Sequence, residues 1–142
     1  MKDDTMTQYE TAKAFFEACE TGKGWKGCTT FCHDGATFSC QADALAETTT
    51  LAEYVEWMKG LLTPVPDGRY NLTAFAADEV RGTVVACAEF HGTQTGEGGP
   101  VAPTGKAVVS DYAYLMQFDG DKITHLTKIW SDVHALRALG WT

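Results

Sequence analysis

The chain has 142 residues, 44% of them hydrophobic, which suits one domain, spanning 1–142, with one core. Its formal net charge is −8 and no basic stripe is visible, so nucleic acid and anionic membrane surfaces are not expected partners. No apolar run approaches the ~20 residues of a membrane span, and the opening MKDDTMTQYE lacks the apolar core of a secretory signal.

Residues 1–6 read as a flexible N-terminus. Tyr9, Ala12, Phe15, Phe16 and Cys19 then recur at helical spacing and predict a helix over 7–21. Thr7 with Glu10 forms a capping box, and Gly22 suits the position just past the end. A second helix over 24–32 would place Cys28, Phe31 and Cys32 on one side. Residues 36–40 read as a strand, followed by a polar, alanine-rich loop over 41–49. Thr50 and Glu53 form another capping box, opening a helix through Leu62 with Leu51, Tyr54, Val55, Met58, Leu61 and Leu62 apolar. The run Pro64-Val65-Pro66-Asp67-Gly68 ends it.

From there the period becomes two. Strands are predicted over 69–79, 83–95, 106–118 and 122–131, with hairpin turns at Arg81-Gly82 and Asp119-Gly120-Asp121. The Gly- and Pro-rich loop over 96–105 joins two long strands. A short helix over 133–139 closes the chain, with Gly140 after it. Helices first and a meander afterwards imply an α+β layer fold, with a curved, mostly antiparallel sheet around the helices and a pocket inside.

Five cysteines, an odd number without scaffold spacing, read as reduced thiols in a cytoplasm. Asn71-Leu72-Thr73 fits a glycosylation sequon, read as accidental without a signal peptide. Phosphate loops, dinucleotide fingerprints and nucleophile elbows do not occur. Cys28 and Cys32 with His33 and Cys40 invite a metal. Two cysteines four apart on an apolar helix face are instead the pattern of core thiols, so no metal is expected.

Asp111 and His125 invite an acid–base pair. Pairing Phe118 with Lys122 sets them about 14 Å apart along one face, too far for a hydrogen bond, so both read as solvated or interface-facing. His91 and Glu89 share a strand face as a surface pair. The same register puts Ser110, Tyr112, Tyr114 and Met116 on the other face, beside Leu126, Lys128 and Trp130. This face is the more aromatic, and it is the expected core and pocket side. Lys128 on it either snorkels to an edge or is functional. If buried, its desolvated amine becomes a base or an electrostatic partner.

Gly92-Thr93-Gln94-Thr95-Gly96-Glu97, Pro103-Thr104-Gly105, Phe118 through Ile123 and WSDVHALRALG from Trp130 resemble the SnoaL-like polyketide cyclase family. That family belongs to the nuclear transport factor 2-like superfamily. Phe31 through Phe38 resembles the superfamily's helix-to-first-strand segment. The resemblance implies a cystatin-like α+β cone, in which a strongly curved sheet wraps a long N-terminal helix. It also implies homodimers, here through the outer sheet face, and a cavity for a small apolar or aromatic ligand. Members' cavities host cyclisation, isomerisation, dehydration or hydrolysis, or only bind ligands, and no metal or organic cofactor is expected here.

The family's Asp acid/base and its assisting His fall on Lys128 and Tyr114, so the spacing is kept and the chemistry changed. Ketosteroid isomerases of the same superfamily carry their base and helix-one tyrosine at positions matching Cys40 and Phe16. Two functions stay open. One is a cofactor-independent cyclase, isomerase or lyase for a small carbonyl or polyketide-like compound, with Tyr114 and Lys128 catalytic and Phe16, Cys40, Tyr54, Met58, Tyr112, Trp130 and Asp132 shaping the cavity. The other is a non-catalytic ligand-binding or dimerisation domain. A structural subunit of a larger enzyme is a third possibility within the superfamily.

Overall fold

The computed structural model describes residues 6–142. The reading of the first residues as a flexible N-terminus thus falls, but for Met6, outside the described residues. Helix α1 is Gln8–Glu20, and its capping box is formed: Thr7 Oγ1 accepts from Glu10 N, and Glu10 Oε1 accepts from Thr7 N. Gly22, at φ 78°, takes the left-handed conformation that releases the chain from the helix. Its inner face, with Ala12, Phe15, Phe16, Cys19 and Glu20, is buried.

Helix α2 is shorter than its pattern suggests. It covers Gly24–Cys28, one tight helical turn follows at Thr29–Phe31, and Cys32 already opens strand β1, Cys32–Cys40. The β-branched pair Thr29-Thr30 is a poor helix continuation. The strand's first residues, Cys-His-Asp-Gly, carry no period-two pattern, because β1 bulges between Cys32 and Thr37. The loop after β1 contains another tight turn, Asp43–Leu45, that buries Leu45. Helix α3, Leu51–Leu61, has its capping box in place and buries Leu51, Tyr54, Val55 and Met58.

The meander consists of β2 (Arg69–Asp78), β3 (Thr83–Thr93), β4 (Ala107–Asp119) and β5 (Lys122–Trp130). The open sheet runs β1-β5-β4-β3-β2. Among the described residues only the β1–β5 pair is parallel. Helix α4, Asp132–Leu139, follows. The concave face carries Val84, Ala86 and Ala88 of β3, Tyr112, Tyr114 and Met116 of β4, and Ile123 and Leu126 of β5, all buried against α1 and α3. This is the cone that the sequence implies. No helix among the described residues is long and apolar enough to cross a membrane.

The β4–β5 register departs from the Phe118–Lys122 pairing. Asp119 faces Lys122 and Phe118 faces Ile123, and a bulge before Gln117 then aligns Gln117 with His125. The turn and the bulge each slip the pairing by one residue. Beyond the bulge two slips restore the face of each side chain, since strand side chains alternate with period two, whereas Ile123, one slip along, turns to the concave side. The two slips also place Tyr114 directly opposite Lys128 rather than diagonal to it. Asp111 pairs with Glu89 on β3, far along the sheet from His125, which binds Thr37 and Ser39 instead.

The Gly- and Pro-rich loop is organised by Gln94, which is fully buried. Its side chain donates to Gly96 O and accepts from Thr104 N, and Thr104 Oγ1 donates to Leu139 O at 2.7 Å. A side chain at Gly96 would strike Thr63 O at 2.2 Å, so only glycine lets the loop pack here. These contacts tie α4 over one end of the cone.

Candidate functional site

Under α4 lies a cavity that offers the centre of a water molecule about 40 Å³, room for a few waters. Its walls are largely apolar, with Trp57, Met58 and Leu61 of α3 on one side and Leu139 and Trp141 on another. Its polar groups are Glu20, Ser110, Tyr112 and Lys128. Trp130 lines it too, and its indole N–H donates to Ser110 Oγ at 3.1 Å.

Lys128 is 5% exposed and Glu20 3%. Each would be costly to bury alone as an ion, and hydrogen bonds link them. Lys128 Nζ donates to Tyr54 Oη at 3.0 Å. The Tyr54 and Tyr114 hydroxyls are bonded to each other. Tyr114 donates to Glu20 Oε2, and Tyr112 donates to Glu20 Oε1. With the lysine donating at one end and the carboxylate accepting at the other, Tyr54 donates to Tyr114. Every hydroxyl of the chain is then used in one direction. Around the ammonium stand four aromatic rings, with centroids 4.4 Å (Trp130), 5.0 Å (Tyr54), 5.3 Å (Trp57) and 5.3 Å (Tyr112) from Nζ. Such faces attract a cation.

Burial holds the Lys128 amine below its ordinary pKa, against the opposing pull of Glu20. Burial raises the Glu20 carboxyl, against the opposing effects of Lys128 and the two tyrosine hydroxyls. Both shifts favour the uncharged forms, and moving one proton from lysine to glutamate leaves the net charge of the site unchanged. Tyr54 and Tyr114 are pushed well up by burial and keep their protons. Chemically, the arrangement is an amine facing a small, largely apolar cavity, with a buried carboxyl able to take up or return its proton.

Of the residues singled out from sequence, Lys128, Tyr112, Met58 and Trp130 line the cavity. Tyr114 and Tyr54 are fully buried behind it, as members of the hydrogen-bond chain. Tyr114 thus stands behind Glu20 and Lys128, not at the cavity wall. Phe16 packs against Tyr70, Tyr112 and Tyr114. Cys40 ends β1 opposite Lys128. Asp132 accepts from Ala44 N at 2.9 Å, so it pins the loop after β1 rather than the cavity. Cys28 and Cys32 are core thiols raised to about 12 by burial.

Sequence reasoning missed Glu20. It lies four residues after Phe16 on the buried stripe of α1. A carboxylate in the last turn also opposes the helix dipole. That doubly unfavourable placement was the available signal.

A SnoaL-like domain model matches residues 12–126. The chain belongs to the SnoaL-like family. No curated protein was found to match it. Among solved structures, this SnoaL-like chain is similar to one named as a SnoaL-like polyketide cyclase from Jannaschia sp. CCS1. There the TM-score is 0.77 and the identity 15%, covering 100% of this chain and 98% of that one. It is similar also to wild-type IdmH of Streptomyces antibioticus, named as a polyketide cyclase, with TM-score 0.76, 16% identity and 95% and 99% covered. TerC, co-crystallised with polyporic acid, follows at TM-score 0.71 and 13% identity, covering 94% of this chain and 98% of that one. At such identities the likeness is one of fold.

Proposed function

We propose that this SnoaL-like protein is a cofactor-independent enzyme of the cyclase, isomerase or lyase type, acting on a small, largely apolar carbonyl compound. The observation that carries the reading is the one-directional hydrogen-bond chain from Lys128 through Tyr54 and Tyr114 to Glu20, ending at an apolar cavity. Such a chain lets a neutral amine remove a proton next to a carbonyl while the carboxyl holds the spare one. Lys128 is the catalytic base and Tyr114 a positioning residue, while Tyr112, whose hydroxyl donates to Glu20, holds the carboxyl in place. Met58, Trp57 and Trp130 shape the substrate's place. The cyclase names of the neighbours agree with a carbonyl substrate, and the size of the cavity suits a small one.

The same proposal includes a single domain, a cytoplasmic setting for its buried thiols, and a homodimer through the convex sheet face. That face exposes Val109 and Ile129, half-exposed at 50% and 56%. The alternative, a binding domain that has lost acid–base chemistry, predicts that ligands bind equally with and without Lys128. A thermal-shift screen of small aromatic and polyketide-like ketones tests both readings, because a bound ligand raises the melting temperature by mass action. The enzyme reading expects hits that are converted by the wild type and bound but unchanged by Lys128→Met. Hits unchanged by the wild type would leave binding alone.

A further inference from the structure

The ammonium of Lys128 has three N–H groups, and among the described residues one of them has a hydrogen-bond acceptor, Tyr54. No carboxylate lies within ion-pair reach of it among the described residues. The remaining surroundings are the faces of four aromatic rings and the cavity. A surface lysine avoids such a place, and a structural one would be paired. An amine at the wall of a largely apolar cavity, with a proton acceptor connected to it but not touching it, is instead the arrangement of a nucleophile.

We infer that Lys128 is a covalent site, whose amine condenses with a small uncharged aldehyde or ketone in the cavity to form a protonated imine. The inference rests on the cavity being the ligand site, and deepens that reading by assigning lysine a bond rather than only a proton.

The chemistry closes without any further reagent. The ammonium passes one proton through Tyr54 and Tyr114 to the Glu20 carboxylate, leaving an amine and a carboxylic acid. The nitrogen lone pair attacks the carbonyl carbon, forming the C–N bond. The C=O π pair moves to oxygen, which takes a proton from nitrogen to give a carbinolamine. The proton held by Glu20 then returns, the hydroxyl leaves as water, and the nitrogen lone pair completes the C=N bond. One ammonium and one carbonyl have become one iminium and one water, with Glu20 again a carboxylate. The iminium is a cation at the position the ammonium held. The four ring faces that surround Nζ therefore stabilise product as they stabilised reactant.

Propanal, small enough for the cavity, is the probe. The wild-type protein is incubated with propanal and cyanoborohydride at neutral pH, which reduces an imine to a stable propylamine. The label at each of the eight lysines is then read by peptide mapping. The expected result is labelling of Lys128 at least tenfold faster than of any other lysine. Labelling of Lys128 no faster than of exposed Lys13 or Lys59 overturns the inference.

A parallel titration with 1-propanol, which cannot form an imine, follows the indole N–H signals of the protein. Trp57, Trp130 and Trp141 line the cavity and Trp25 does not. If those three signals move relative to Trp25 while Lys128 stays unlabelled, the imine fails and the pocket reading stands. If neither occurs, both fail.

Discussion

Removing either end of the Lys128–Glu20 chain should give proteins whose stability responds to pH in opposite directions. In Lys128→Met, Glu20 keeps its burial and loses the cation that favoured its charge. At neutral pH it folds by taking up a proton. For a carboxyl of unfolded pKa ~4.3, uptake at pH 7 costs about 3.7 kcal/mol, at about 1.36 kcal/mol per pH unit. That is an upper limit on the penalty, because a buried carboxylate costing more simply protonates. Its folded pKa lies above its unfolded one, so the penalty is absent below about pH 4.3 and grows as the pH rises.

In Glu20→Gln, Lys128 is the group left over, and it folds by releasing a proton. From an unfolded pKa ~10.4 the limit at pH 7 is about 4.6 kcal/mol. Its folded pKa is depressed, so this penalty shrinks as the pH rises toward 10.4. Urea unfolding of wild type and both variants at pH 5.5, 7 and 8.5 is the assay, with differences read as midpoint shifts. Lys128→Met should lose ground on wild type across that series and Glu20→Gln should gain on it. Deficits that run parallel to one another, or that stay below about 0.5 kcal/mol, would mean that the two groups are solvated and that the buried chain does not exist.

Two further outcomes follow from the same geometry. Tyr114→Phe leaves the Tyr54 hydroxyl without its acceptor and Glu20 Oε2 without its donor, so urea unfolding should register a loss of about 2–4 kcal/mol; Tyr112→Phe, which frees only Oε1, should lose about half that, and a reversed order would refute the chain as drawn. Val109→Lys with Ile129→Lys charges two exposed positions on the convex face and should convert a dimer to a monomer in light scattering while leaving propanal labelling of Lys128 unchanged; a monomeric wild type removes this face as an interface.

Much of the architecture was legible along the chain. Both long helices announce themselves by capping boxes, and β4 alternates so regularly that Tyr112, Tyr114 and Met116 had to share a face. That face survived a register misread by two residues, because an even slip does not turn a side chain over. The bulge itself left a trace, since buried Ile123 and Leu126 are three apart where a regular strand spaces them by two.

Beyond these local patterns, tertiary structure decided. The first part of β1 looks like a loop until β5 lies parallel to the strand and pairs it at Cys32 and again from Thr37 onward. Glu20 is a carboxylate out of place on an apolar helix stripe until β4 and β5 bring two tyrosines and a lysine over it. A helix period tells which residues share a face, but not which distant polar groups that face will meet. Only that meeting offsets the cost of burying a carboxylate and an amine, and it turns Lys128 from an oddity of an apolar strand into the centre of the site.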